Sequence, residues 1–280
     1  MLMATKEKVV NLVAKIGEWL DMRIREKTRN VGFSCDFCKK EILDYPDRRI
    51  CDACAAMIKE NDGRKCPKCG RRTVAEGLCL ACKSSAPAFD EGISSILYDR
   101  FSAGMINRLK NGNRYLRYYF GELLLSALFS TMGASSVEEL REKAIKNWGE
   151  DFFLVPVPMM KYAVRERGYN QAEELAKELS ALTGFLCRTD VLKKVRPTLP
   201  QKNLTSKERR ENVRGAYRVK ARVACREKVI LLIDDVMTTS STGSECARVL
   251  KNAGAKKVVF LTIAALEEKR KLSVKKINPS

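Results

Sequence analysis

Predominantly apolar segments, most of them in the second half of the chain, predict buried strands. They cover residues 93–97, 152–157, 229–233 and 257–265. The unbroken apolar run at 229–233 is typical of a parallel strand covered on both faces. Segments with apolar residues at helical spacing lie between the runs: 98–110, 115–132, 172–182 and 241–252. We therefore predict an α/β protein whose parallel sheet is flanked by helices.

A separate helical pattern occupies residues 1 to about 30. Charged residues alternate with an apolar face made of Val9, Leu12, Val13, Ile16, Trp19 and Leu20. Packing on the rest of the protein or on a second copy is the simpler use of such an amphipathic helix, and attachment to a membrane surface is the alternative. The charges argue against a secretory signal, and no apolar run approaches the ~20 residues of a membrane-spanning helix. We expect a cytoplasmic protein, with peripheral association at the inner face of the membrane as the alternative.

The segment between residues 33 and 86 contains four Cys-x-x-Cys pairs and few large apolar residues. The pairs are Cys35/Cys38, Cys51/Cys54, Cys66/Cys69 and Cys79/Cys82. Two such pairs supply the four thiolates of a tetrahedral Zn²⁺ site, so we predict two structural zinc ions. Disulfides need an oxidising compartment, and a redox Cys-x-x-Cys is usually single. Tandem pairing, first with second and third with fourth, is the simplest arrangement; interleaved pairing stays open.

The composition narrows the chemistry further. The 280 residues are 45% hydrophobic, enough for a packed core, and contain no histidine. Ser-His-Asp and Cys-His catalysis are therefore excluded, as is any zinc site that uses imidazole. A general base must be a carboxylate, Lys, Tyr, Cys or the substrate itself.

The formal net charge of +19 indicates a polyanionic partner. Residues 188–228 alone carry fourteen Lys or Arg against four Asp or Glu. We predict that residues 196–217 form a long, flexible basic loop, because long loops in compact domains usually carry a function. Its candidate binding residues are Arg196, Gln201, Arg209, Arg210 and Asn212.

The strongest candidate for chemistry follows the run at 229–233. There the predicted strand ends in Asp234 and Asp235, and the next residues include Thr238, Thr239, Ser240, Ser241 and Thr242. A hydroxyl-rich turn at a helix start offers N–H and O–H donors to an anion. The two carboxylates repel a phosphate, so we expect them to bind another part of the ligand, such as the hydroxyl groups of a sugar. A phosphorylated sugar meets both demands; a capped helix with solvated carboxylates is the structural alternative.

A second candidate follows the run at 152–157. Cations and a glycine precede the helix that begins near residue 172, and the candidate residues are Lys161, Arg165, Arg167, Gly168, Asn170 and Gln171. Open α/β sheets bind ligands at the carboxyl edge of their strands, so this segment suits a diphosphate. A solvated basic loop is the alternative.

The 234–242 stretch resembles the 5-phosphoribosyl-1-pyrophosphate (PRPP) motif of the type I phosphoribosyltransferases. The resemblance implies that Asp234 and Asp235 face the ribose, that 238–242 hold its 5-phosphate, and that Mg²⁺ accompanies PRPP. That family usually has Gly where Ser240 stands, and Gly permits positive φ and close approach to a ligand.

The whole chain after residue 32 resembles the ComF family. The resemblance rests on the four Cys pairs, Tyr98 with Lys110 and Gly112, Val155-Pro156-Val157-Pro158, residues 165–171, Arg196-Pro197-Thr198 with Gln201, residues 210–217 and Asp234-Asp235-Val236-Met237-Thr238-Thr239. It implies a double zinc ribbon at 33–86, a type I phosphoribosyltransferase-like domain at 87–280 and a link to DNA uptake. The amphipathic helix at 1–32 has no counterpart.

Three functions remain open at this stage. The first is a DNA-uptake protein that binds PRPP or a 5′-phosphorylated nucleotide, single-stranded DNA and uptake-machinery proteins. The second is an active phosphoribosyltransferase, in which Asp234 and Asp235 orient the ribose. The third is a zinc-ribbon adaptor with a vestigial transferase fold, for which Ser240 is the best support.

Overall fold

The computed structural model describes residues 34–43, 49–199, 204–220 and 225–268. They belong to two compact units that divide between Cys51 and Asp52. The predicted amphipathic helix at 1–32 lies outside the described residues, and the predicted domain boundaries stay predictions.

A four-stranded parallel sheet forms the centre of the second unit. Its strands are β1 (Glu91–Leu97), β2 (Phe152–Pro156), β5 (Val229–Met237) and β6 (Lys257–Ala265), in the order β1-β6-β5-β2. Two short strands, β3 (Leu192–Lys194) and β4 (Tyr217–Val219), pair antiparallel in a separate sheet. The parallel α/β fold and the positions of its four strands confirm the prediction from the apolar runs.

The helices in the described residues are α1 (Asp52–Ala55), α2 (Leu80–Ser84), α3 (Arg100–Lys110), α4 (Leu116–Met132), α5 (Val137–Trp148), α6 (Lys161–Arg167), α7 (Gln171–Thr183), α8 (Ser206–Val213) and α9 (Ser241–Asn252). Four of them, α3, α4, α7 and α9, begin and end close to the limits that the apolar spacing predicted. Side-chain caps mark several starts: Asp99, Ser136 and Asn170 each accept a hydrogen bond from a backbone N–H of the first turn.

Strand β5 is longer than predicted. Asp234 pairs with Thr262 of β6 and Val236 pairs with Ala264, so both carboxylates lie within the strand and not after its end. The prediction that the strand ends at these residues was wrong, because sheet hydrogen bonds continue past the last apolar residue of the run. The side chains of Asp234 and Asp235 are therefore held by a rigid, central strand.

Two segments predicted as loops contain helices. Residues 161–167 form α6, and 206–213 form α8 within the segment predicted to be a long loop; β4 takes up its end. Thr205 and Glu208 make a capping box at the start of α8, which stabilises a short helix despite its polar composition.

The helix that follows the central strand packs closely on the sheet. A side chain at Gly243 of α9 has no room, because a Cβ there meets the ring of Phe260 on β6. This close approach fixes the start of α9 beside the end of β5, where the candidate phosphate turn lies.

Within the described ranges no single helix is long and apolar enough to cross a bilayer. The one combination there with that length and composition is α4 with α5, which meet at a bend of 57°. Phe120, Leu124 and Leu128 of α4 are fully buried in the protein.

Candidate functional site

Two groups of four cysteines can each hold a metal ion. Within each group the thiols lie within 4.8 Å of one another; the groups are Cys35, Cys38, Cys51, Cys54 and Cys66, Cys69, Cys79, Cys82. The Sγ atoms are 3.6 Å apart for Cys38 and Cys51 and 3.7 Å apart for Cys69 and Cys79. A tetrahedral site with Zn–S bonds of ~2.3 Å separates its sulfurs by ~3.8 Å, so both groups fit Zn²⁺. The pairing is tandem.

Backbone N–H groups donate to the sulfurs in both groups. Cys38 N and Cys51 N lie 3.4 Å from Cys35 Sγ, and Cys79 N lies 3.4 Å from Cys66 Sγ. A hydrogen bond with Cys82 is the largest cause that lowers the pKa of the Cys69 thiol to about 5, and Arg71 contributes to the same shift. These donors favour the thiolate of Cys69, whereas burial raises the pKa of Cys79 to about 11. Four Cys ligands leave no open position, so both sites suit a structural metal.

The carboxylate pair of β5 is buried and tied to a cation. Asp234 and Asp235 are 8% and 5% exposed. Lys110 Nζ, at the end of α3, lies 2.6 Å from Asp235 Oδ2, and Gln171 Nε2 donates to the same oxygen at 3.3 Å. Asp235 N donates to Asp234 Oδ1 at 2.9 Å. The two carboxylates are thus held by three different elements of the fold.

The two carboxylates are electrostatically unequal. Burial, followed by the charge of Asp235, raises the pKa of Asp234 to about 7. Burial works against the charge of Lys110, but the charge of Asp235 outweighs it, so the pKa of Lys110 is raised. Lys194 of β3 acts on Asp234 as a second cation, and burial lowers the pKa of Lys194. Near neutral pH, Asp234 therefore exchanges a proton while Asp235 forms an ion pair.

The hydroxyl-rich turn after β5 reverses the chain at Ser240. Ser240 has a φ of 61°, in the left-handed region, and α9 begins at the next residue. Thr239 and Ser241 hydroxyls lie 2.8 Å apart, and Arg209 Nη1 of α8 donates to Thr238 Oγ1 at 3.1 Å. Thr242, in the first turn of α9, hydrogen-bonds the hydroxyl of buried Tyr217. The predicted phosphate residues therefore do surround the start of a helix.

Only part of the predicted diphosphate segment reaches this region. Arg167 Nη1 donates to Gln171 Oε1 at 2.5 Å, and Gln171 in turn contacts Asp235. Asn170 caps α7 through its bond from Ala172 N and also donates to Val157 O at 3.0 Å. Lys161 and Arg165 are exposed on α6, and Gly168 ends that helix in the left-handed conformation.

The predicted flexible basic loop is largely tied to itself. Arg196 Nη2 donates to the carbonyls of Asn212 and Arg214, and the Asn212 amide pairs with the backbone of Leu199. Arg209 contacts the phosphate turn, whereas Arg210 is exposed. Gln201 lies outside the described residues.

Three residues at the site were absent from the predicted set: Lys110, Lys194 and Arg71. Arg71 Nη2 donates to Thr238 O at 2.8 Å across 167 positions of sequence. Lys110 is the last residue of α3, and Lys194 belongs to β3. Lys110 belongs to the family resemblance, but no role at the site was predicted for it. Nothing in the local pattern distinguishes Lys194 and Arg71 from other Lys and Arg residues, since their proximity to the site arises from the topology.

The fold and the site define a class: an α/β protein with two Cys₄ metal-binding groups and a carboxylate pair that precedes a hydroxyl-rich helix start. No protein-family model matches the chain. It is 25% identical over 232 residues to Competence protein F of Haemophilus influenzae, covering 81% of this chain and 94% of the relative. Similarity at this level over most of the chain supports the resemblance to the ComF family.

Two further relatives agree with this assignment. DNA utilization protein YhgH of Escherichia coli strain K12 is 26% identical over 208 residues, which cover 74% of this chain and 86% of the relative. Competence protein ComFC of Bacillus subtilis is 25% identical over 211 residues, covering 75% of this chain and 80% of the relative.

Proposed function

We propose that this protein binds a phosphorylated ribose at the end of β5 and acts in the uptake or use of DNA. The observation that carries the proposal is the buried pair Asp234 and Asp235 immediately before a turn that reverses at Ser240 into α9. The ligand is PRPP or the 5′-phosphorylated end of a nucleotide.

The turn and the carboxylates serve opposite ends of such a ligand. The N–H groups at the start of α9 and the hydroxyls of Thr239, Ser241 and Thr242 provide donors for the 5-phosphate. The carboxylates accept hydrogen bonds from ribose hydroxyls or hold Mg²⁺ that accompanies a diphosphate. Lys110 and Lys194 offset the negative charge of the pair, which lowers the cost of bringing an anion close.

The role in DNA uptake draws on the relatives and on charge. The relatives bear names for competence and for DNA utilization. A chain with a net charge of +19 is attracted to polyanions at long range. We therefore propose single-stranded DNA as the macromolecular partner.

A binding experiment tests the pocket directly. PRPP with Mg²⁺ is titrated into the wild type by calorimetry, and into Asp235→Asn and Asp190→Asn as site and surface variants. We expect binding by the wild type and Asp190→Asn, and at least about tenfold weaker binding by Asp235→Asn. Equal affinity of all three proteins contradicts the assigned site.

The DNA proposal has a separate readout. Fluorescent single-stranded DNA should bind with an affinity that falls with salt, with a logarithmic slope of about −0.7 for each phosphate contacted. A 5′-phosphate on the strand should strengthen binding, and Asp235→Asn should reduce that gain. The absence of DNA binding at low salt argues against this role. Equal affinity for strands with and without a 5′-phosphate also argues against it.

One observation also favours a second candidate, an active phosphoribosyltransferase. The raised pKa of Asp234, about 7, places this carboxyl where it can accept a proton from an attacking nucleophile at physiological pH. The measurement is pyrophosphate release from PRPP with candidate bases or amines. Release that persists in Asp234→Asn excludes Asp234 as the proton acceptor.

A further inference from the structure

One buried arginine connects the second cysteine group to the candidate phosphate turn. Arg71 is 8% exposed. Its Nε donates to Cys69 Sγ at 3.3 Å, and its Nη2 donates to Thr238 O at 2.8 Å. A single planar guanidinium therefore contacts a metal-ligating sulfur on one side and the backbone before Ser240 on the other.

The segment that carries Arg71 is itself fixed to the sheet. Asn61 Nδ2 donates to Gly70 O at 2.8 Å and to Ser94 O of β1 at 3.0 Å. Gly70 and Gly92 approach so closely that neither position has room for a Cβ. Arg71 thus projects from a rigid base, provided that the turn Cys66–Gly70 keeps its shape.

The contact with Thr238 constrains the part of the turn that a ligand needs. The peptide unit is planar, so fixing the carbonyl of Thr238 also fixes the orientation of the N–H of Thr239. Ser240 follows in a conformation that costs energy for any residue with a side chain. A strained turn of this kind keeps its geometry only when its neighbours hold it.

We propose that Arg71 is a positioning residue through which metal binding by Cys66, Cys69, Cys79 and Cys82 orders the phosphate turn at 238–242. The metal fixes Cys69, Cys69 orients Arg71, and Arg71 holds the Thr238 carbonyl. Occupancy of this metal site then sets the affinity of the turn for an anion. The ligand part of this inference rests on the proposed function; the ordering of the turn does not.

Hydrogen exchange with mass spectrometry tests the ordering without any ligand. Zinc-loaded wild type, Arg71→Met and Arg72→Met are compared. Arg72 is the matched control, because it is the next residue and pairs with Asp62 and Glu267 instead of the turn. We expect about tenfold faster exchange at 238–242 in Arg71→Met only, with 66–82 still protected. Unchanged exchange at 238–242 overturns the proposal, as does equal loosening of both segments.

Loss of metal from the second cysteine group alone tests whether metal binding is coupled to the order of the turn at 238–242. Cys82→Ser removes one ligand of the second group, and we expect it to bind one zinc ion fewer and to speed exchange at 238–242. Combined with Arg71→Met, it should speed exchange at the turn no more than it speeds exchange in β5 and β6, which report the loss of overall stability. Additive effects of the two substitutions contradict transmission through Arg71.

If Arg71→Met does not fold, Arg71→Lys replaces it, because lysine retains one charged donor. Its exchange rate at 238–242 should be intermediate; a wild-type exchange rate overturns the proposal.

Binding of PRPP with Mg²⁺ completes the test. Arg71→Met should weaken it about tenfold, and Arg72→Met should not. If the wild type binds no PRPP but the exchange effects hold, the proposed ligand is wrong and the positioning role stands. If PRPP binds equally to wild type and Arg71→Met, the positioning role is wrong and the pocket stands.

Discussion

Ser240 has a side chain but adopts a backbone conformation that favours glycine. Its φ of 61° is favourable for Gly and costs an L-residue about 1–2 kcal/mol. Its side chain makes no capping hydrogen bond to α9. The departure from the related motif therefore leaves the left-handed turn in place and adds strain to it.

We predict that Ser240→Gly stabilises the protein. The strain relieved exceeds the extra chain entropy that Gly loses on folding, so the net gain should be about 0.5–1 kcal/mol. Urea unfolding measures it, with Ser240→Ala as the control that keeps a Cβ and should gain nothing. Equal stability of Gly and Ala at this position contradicts the strain argument.

The buried Asp234 carboxyl predicts a pH dependence. Its folded pKa is about 7, raised from 3.8 by burial and then by Asp235. The folded state therefore binds more protons than the unfolded state between these pH values, and stability falls as pH rises through this window. Above about pH 7, Asp234 is charged, and the full free-energy cost of burying this charge is present.

Asp234→Asn removes that cost. Relative to wild type, the variant should gain stability as pH rises from about 5.5 to 8, reaching on the order of 2 kcal/mol. Denaturant unfolding at several pH values gives the difference, in which effects shared by both proteins cancel. Asp190→Asn is the control: Arg188 lowers the pKa of that exposed carboxyl, so the substitution should bring no gain at alkaline pH.

At the scale of elements, Asn170 joins a strand end to a helix start. It is 6% exposed, accepts from Ala172 N to cap α7, and donates to Val157 O just beyond β2. The next residue, Gln171, contacts Asp235. The cap therefore fixes the distance between the two predicted halves of the binding site.

Asn170→Ala should lower the free energy of unfolding by about 2 kcal/mol, since it removes the cap and leaves the carbonyl of Val157 without this donor. It should also weaken binding of PRPP with Mg²⁺ if the proposed pocket is correct. Thermal and urea unfolding check the first effect. Asn147→Ala, on the exposed surface of α5, is the control and should change stability by less than about 0.5 kcal/mol.

The apolar pattern predicted some elements better than others. The limits of α9 and β6 agree with it, because burial on the sheet repeats along each element and leaves a regular signal. Helix α8 left no such signal: it is short and polar, and only the Thr205–Glu208 capping box marked its start. Lys110 and Arg71 could not be assigned to the site, because contacts across the fold depend on topology and not on local spacing.

At the scale of the whole molecule, the second cysteine group is part of the core of the α/β unit. Cys66, Cys69, Cys79 and Cys82 are buried in the same apolar cluster as Phe89 and Phe260, whose rings lie 5.2 Å apart. The Glu268 carboxylate, just past β6, accepts from Val74 N at 3.3 Å and Leu80 N at 2.6 Å. Metal binding and sheet stability should therefore be linked.

Cys82→Ser should accordingly destabilise the sheet itself, and not only the cysteine-rich segment. Loss of one of four ligands from a structural zinc site within a core should lower the unfolding free energy by on the order of 4 kcal/mol. Circular dichroism and zinc content, followed together on heating, should then show one transition at a reduced temperature. Cys187→Ser is the control, because that half-buried thiol lies outside both groups and should retain the wild-type transition. Separate transitions for metal release and for the sheet would show that the cysteine group folds independently of it.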